Sequence, residues 1–121
     1  GAVNGMDWSP DGSSIAIGTD RDGNYNVWLF PLAGGEPTRL TEHPADDLRP
    51  SWSPDGKRIA FGSDRAGTFD IWIVSASGGE PTRVTVGAGN ELDSSWSPDG
   101  KRLAYGAQED GISDIWIQDI E

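Results

Sequence analysis

Five residues set the terms for this chain: Trp-Ser-Pro-Asp-Gly stands at 8–12, at 52–56 and at 96–100, two steps of 44 residues each. A second marker keeps the same step, as Val27-Trp28-Leu29, Ile71-Trp72-Ile73 and Ile115-Trp116-Ile117. Gly-Gly-Glu-Pro-Thr-Arg adds a third, at 34–39 and 78–83. A fixed period of this length signals a repeat architecture, in which each unit buries its apolar faces only by stacking on its neighbours. The reading is therefore one repeat domain, residues 1–121, with units at about 1–44, 45–88 and 89–121.

Within a unit the local chemistry spells strands and turns. In the second, Leu48–Trp52 reads as a first strand. Ser53-Pro54-Asp55-Gly56 then turns the chain, with proline fixing φ at the first central position and glycine accepting the left-handed conformation. The second strand is Arg58–Ser63, the third Phe69–Val74, and the fourth runs over residues 82–85. Glycine, proline and aspartate recur too often to leave a window for a helical stripe, so the chain is expected to be all-β.

Apolar residues occupy successive positions in the middle strands, Ile59-Ala60-Phe61 and Ile71-Trp72-Ile73-Val74. A sheet with one wet face would alternate, so these sheets are covered on both sides. Four-stranded antiparallel units stacked face to face are the blades of a β-propeller. Trp8, Trp28, Trp52, Trp72, Trp96 and Trp116 return at regular places and are read as blade packing. Asp11, Asp55 and Asp99 are read as turn residues, because aspartate there bonds its own backbone.

The stretches Trp52-Ser53-Pro54-Asp55-Gly56-Lys57-Arg58-Ile59-Ala60-Phe61, Ser63-Asp64-Arg65 and Asp70-Ile71-Trp72 resemble the WD-like repeat of the TolB β-propeller family, over essentially the whole chain. That resemblance implies six-bladed or larger propellers, often in the bacterial periplasm or elsewhere outside the cytoplasm, that act as protein-binding scaffolds. Related repeats form binding or gating propellers of larger enzymes, which leaves part of a hydrolase or lyase as the alternative. The units also depart from one another: Ser13-Ser14 replaces the Lys-Arg pair at 57–58 and 101–102, Asn26 stands where Asp70 and Asp114 stand, and Gln108 replaces Asp20 and Asp64.

Three blades cannot turn a full circle, and the third unit stops before its outermost strand. Two blade faces are thus expected to stay open, lined by Ile15, Ile17, Leu103 and Tyr105. The simplest closure is a homodimer, the third blade of one chain on the first blade of another, giving six blades by self-assembly. A fragment of a longer protein, and an engineered or reconstructed half-propeller, stay open as origins.

Twenty acidic against nine basic residues give a net charge of −11, which repels phosphate backbones and anionic lipid and disfavours nucleic acid or membrane partners. Apolar runs of four or five residues are too short to span a bilayer as helices. The first four residues carry no signal-peptide pattern. With no cysteine, disulfides and thiolate metal sites drop out.

Catalysis finds little footing. The only histidine is His43, no Gly-x-Ser-x-Gly elbow occurs, and no phosphate-cradling glycine loop is present. A non-catalytic scaffold without cofactor is expected. Calcium is the one alternative, at Asp20-Arg21-Asp22-Gly23-Asn24, where Tyr25 and Pro31 break the EF-hand pattern. Asp70 and Asp114 are expected to anchor their turns or to meet Arg58 and Arg102. By the resemblance, the connections ahead of each first strand border one mouth of the central channel. Glu42, His43, Asp46, Asp47, Asn90, Glu91 and Asp93 there form a candidate site for a cation or a basic protein or peptide segment.

Overall fold

The structure, a computed structural model, describes residues 2–85, 90–109 and 111–120; the side chains of residues 90–92, 108, 109, 112 and 113 lie outside that description. Every regular element in it is a strand. The first sheet pairs β1 (Val3–Trp8), β2 (Ser14–Thr19), β3 (Asn26–Pro31) and β4 (Thr38–Arg39) in chain order. The second repeats this with β5 (Asp47–Trp52), β6 (Arg58–Ser63), β7 (Asp70–Ser75) and β8 (Thr82–Arg83). The third contains β9 (Asn90–Trp96), β10 (Arg102–Glu109) and β11 (Ile112–Asp119). All neighbours are antiparallel, and β1 packs on β5 as β5 packs on β9, so the first strand of each sheet lies innermost.

The fourth strand is shorter than the sequence reading over residues 82–85. After Thr82 and Arg83, both Val84 and Thr85 donate their N–H groups to the carbonyl of Ile71, while Thr85 Oγ1 accepts the N–H of Ile71 at 2.9 Å. A hydroxyl thus takes the place of a backbone partner, and the ladder ends. Thr41 does the same for Val27 in the first blade.

The two-sided burial expected of the middle strands holds in the second blade. Ile59, Phe61 and Val74 face the first blade, packing with Ala16, Val27 and Leu40. Ala60, Ile71 and Ile73 face the third blade and Leu103. Leu103 is completely buried, which corrects its assignment to an open face. Tyr105 packs on the same cluster. Antiparallel pairing puts Leu103 and Tyr105 on one side of β10 and Ala104 on the other, and the side with Leu103 is the one turned to the second blade.

The outward face of the third blade instead carries Ala104, Ile115 and Ile117, the latter two exposed. Ile15 and Ile17 do lie outward on the first blade, beside Trp28 and Phe30. Arg21 lies over both rings, 4.7 Å from the centre of Trp28 and 5.6 Å from that of Phe30.

The tryptophans divide accordingly. Trp52 and Trp96 bridge blades, Trp72 packs on the cluster between the first two blades, and Trp28 is covered by Arg21 and Arg39 on the outward side of the first, but Trp8 and Trp116 are 59% and 54% exposed. No described blade lies against the face that carries Trp8. Among the described residues no fourth strand flanks Trp116 as β8 flanks Trp72, and position 109 is glutamate where Arg65, which lies over Trp72, stands one period earlier.

Candidate functional site

The Trp-Ser-Pro-Asp-Gly corners close one end of each blade, all in one way. In the second, Ser53 Oγ donates to Asp55 Oδ1 at 2.7 Å and accepts the N–H of Arg58, while Lys57 N–H also reaches Asp55 Oδ1 at 3.0 Å. Gly56, at φ 73°, supplies the left-handed step that brings its N–H back to the carbonyl of Ser53. Hydrogen bonds from Ser13 hold Asp11 down at a pKa of about 2; those from Ser53 and Ser97 lower Asp55 and Asp99. Through these bonds the three aspartates brace their turns. Side by side, the corners leave clefts, one lined by Pro10, Asp11, Trp52 and Pro54 and its counterpart by Pro54, Asp55, Pro98 and Asp99.

The opposite end holds the candidate channel mouth. Asp47 is fully buried, and one guanidinium nitrogen of Arg65 donates to both of its oxygens, at 3.0 and 2.9 Å. Asp46 Oδ1 accepts the N–H of Tyr25 at 3.2 Å, and the Asp46 N–H donates to Asp64 Oδ1 at 3.0 Å. Glu42 pairs with Arg39 at 3.0 Å, and Arg39 also reaches Asp22 at 3.1 Å. His43 Nδ1 accepts the N–H of Ala45, and its carbonyl takes the amide of Asn24. These side chains hold the connection between the first two blades in place. The side chains of Asn90 and Glu91 lie outside the described residues.

Asp93 sits on the innermost strand of the third blade and pairs with Arg49 at 2.9 Å. Arg49 also donates from Nε to Asn4 Oδ1 at 3.2 Å, so one guanidinium ties the innermost strands of three blades together. It stands at φ 52°, in the bulge where β5 slips register on β6 between Leu48 and Ser51. The sequence reading missed this tie, because the matching positions carry Gly5, Arg49 and Asp93 and share no residue type.

Asp70 meets Arg83, not Arg58. Arg58 pairs with Ser75 at one end of the β6–β7 ladder and Asp70 with Ser63 at the other, about 16 Å away at ordinary strand rise. Arg58 lies over the ring of Trp96 at 5.0 Å. In the loop considered for calcium, Asp20 accepts the N–H of Ala2, Asp22 is paired with Arg39, and Asn24 turns its amide nitrogen to the carbonyls of His43 and Ala45. Among the described residues, no three histidine, aspartate or glutamate side chains converge as metal ligands.

Stacked antiparallel sheets, two of four strands and one of three as described, with their first strands innermost define a β-propeller, and the repeated corner marks its kind. A family model, the TolB beta propeller domain, matches residues 1–121, and the chain belongs to that family. Among solved structures it is similar to a putative TolB from Agrobacterium tumefaciens, at 28% identity and TM-score 0.87 over 98% of this chain and 45% of that one. A chain of a nidogen/laminin complex (12% identity, TM-score 0.79, 97% of this chain and 44% of that one) shares the fold. So does the tricorn protease (17%, 0.68, 96% and 12%). The chain spans less than half the length of each. None of the curated proteins matches it.

Proposed function

We propose that this chain is a non-catalytic interaction scaffold, and that two copies pair head to tail to close a six-bladed ring. The observation that carries the reading is the pair of uncovered sheet faces. Ile115 and Ile117 are exposed on the outward face of the third blade, and Met6 and Trp8 on that of the first. Contiguous apolar surface of this kind marks association. The acidic surface favours a basic protein or peptide segment as the bound partner, at the mouth framed by Glu42, Asp46 and Asp93.

Sedimentation equilibrium of the 121-residue chain tests the pairing. Twice the 12.9 kDa of one chain is expected, and a stable monomer at micromolar concentration overturns it. Titration with a lysine-rich peptide followed by calorimetry tests the partner: saturable, salt-sensitive heat is expected. Absence of heat, unchanged by charge reversal at Asp46 and Asp93, removes the basic partner.

A further inference from the structure

We infer that Trp8 is the anchor of the closing seam, with its indole N–H on the backbone carbonyl of Ser95 in the second copy and Arg102 of that copy lying over its ring. The inference rests on the pairing proposed above and adds its geometry.

Both seams inside the chain are built on one bond. Trp52 Nε1 donates to the carbonyl of Asp7 at 3.1 Å, and Trp96 Nε1 donates to the carbonyl of Ser51 at 2.9 Å. Asp7, Ser51 and Ser95 hold one place in the ladder, opposite Ala16, Ala60 and Ala104 respectively. The third indole is Trp8, 59% exposed, and the third carbonyl belongs to Ser95, whose side chain is also exposed. A donor and its acceptor thus stand at opposite ends of the chain, each in the arrangement that the other two tryptophans use.

A second observation points the same way. Arg58 lies over Trp96 across the seam between the second and third blades. One period on from Arg58 is Arg102, exposed at the start of β10, and the ring it would cover is that of Trp8. The first blade carries Ser14 at this position, so the seam at Trp52 is made without an arginine.

The two open faces are also unlike halves. Ile15, Ile17, Trp28 and Phe30 on the first blade match the bulky set Ile59, Phe61, Trp72 and Val74 that the second blade turns to the first. Ala104, Ile115 and Ile117 match the smaller set Ala16, Val27 and Leu29 that receives it. Large side chains against small ones interdigitate at interior density, whereas two bulky faces leave voids. This favours blade three on blade one over two first blades face to face.

Trp8 is exposed in one chain, so its replacement leaves the fold intact, which circular dichroism checks. Trp8→Phe keeps the ring and removes the donor; with two seams per dimer, the dissociation constant by sedimentation is expected to rise about 25-fold, about fivefold per lost bond. Arg102→Ser is expected to weaken the dimer and to leave the sheet spectrum unchanged. Trp8→Glu and Ile117→Glu are each expected to give monomers, and their equimolar mixture to recover a dimer, because one of its two seams is then unaltered. A wild-type dimer indifferent to Trp8→Glu overturns the seam and leaves pairing through some other surface. A mixture that stays monomeric overturns the head-to-tail arrangement, and a wild-type monomer overturns seam and pairing together.

Discussion

Arg65 holds the carboxylate of Asp47 through a single guanidinium nitrogen while its Nε donates to Ser63 Oγ at 3.0 Å, and its plane lies over the rings of Phe61 and Trp72 at 5.7 and 5.1 Å. The arginine is thus both the countercharge of a fully buried acid and the lid on an aromatic pair. Arg65→Met preserves the packing and strands the charge of Asp47 in the interior, so a loss of about 3–5 kcal/mol is expected in urea unfolding. Asp47→Asn in the same chain is expected to return most of it. Equal loss in the double variant would assign the effect to packing.

Ser53 carries the corner of the second blade with one hydroxyl that both donates and accepts. Ser53→Ala leaves the Arg58 N–H without that acceptor at a buried site, and a loss of about 1–2 kcal/mol is expected by denaturant titration. An unchanged midpoint would mean that the backbone bonds between residues 53, 56 and 58 hold the corner alone.

The same corners make stability depend on acid. Asp11, Asp55 and Asp99 have folded-state pKa values below the ordinary 3.8, with Asp11 at about 2. Their contribution is fully present above the unfolded value and is lost as pH falls through the folded one. The melting temperature is therefore expected to drop between about pH 4 and pH 2, and the Asp→Asn variant at all three positions to show a shallower drop. Parallel curves for the two proteins would place the acid sensitivity elsewhere.

Gly18 is small because the irregular stretch of β1 beside it in the same sheet leaves no room. A Cβ there would lie 2.6 Å from the carbonyl oxygen of Asn4 and 3.4 Å from the backbone of Leu48 and Arg49. Neither neighbour is a side-chain tip that can swing away, so Gly18→Ala is expected to cost about 1–3 kcal/mol by thermal melting. A neutral result would show that the Asn4 carbonyl of β1 can retreat from β2.

The period of 44 made the blades, their order and the central double burial legible, because equal spacing of Trp-Ser-Pro-Asp-Gly and Ile-Trp-Ile leaves few folds to choose from. It did not say which way each face turns. Leu103 and Ala104 are adjacent and both apolar, and both sides of such a strand are apolar, so no alternation marks the side that meets the second blade. The site was less legible still. Asp46 and Asp47 are adjacent letters of one kind, yet one braces a loop and the other is a buried ion, a difference set by where Arg65 and Tyr25 arrive from elsewhere in the chain. The Arg49 tie was invisible for the opposite reason, since it depends on what the units do not share.

An indole that reaches back to a carbonyl 45 positions earlier binds its unit to its predecessor, whatever side chain that predecessor carries there: aspartate in one case and serine in the other. The indole-to-carbonyl bond is therefore the part that the joints share, although Asp7 adds a bond to the Trp52 N–H at one of them and Arg58 covers the ring at the other. A lineage using that bond can gain, drop or shuffle modules without redesigning a junction, leaving the final count of modules to the wedge angle between neighbours.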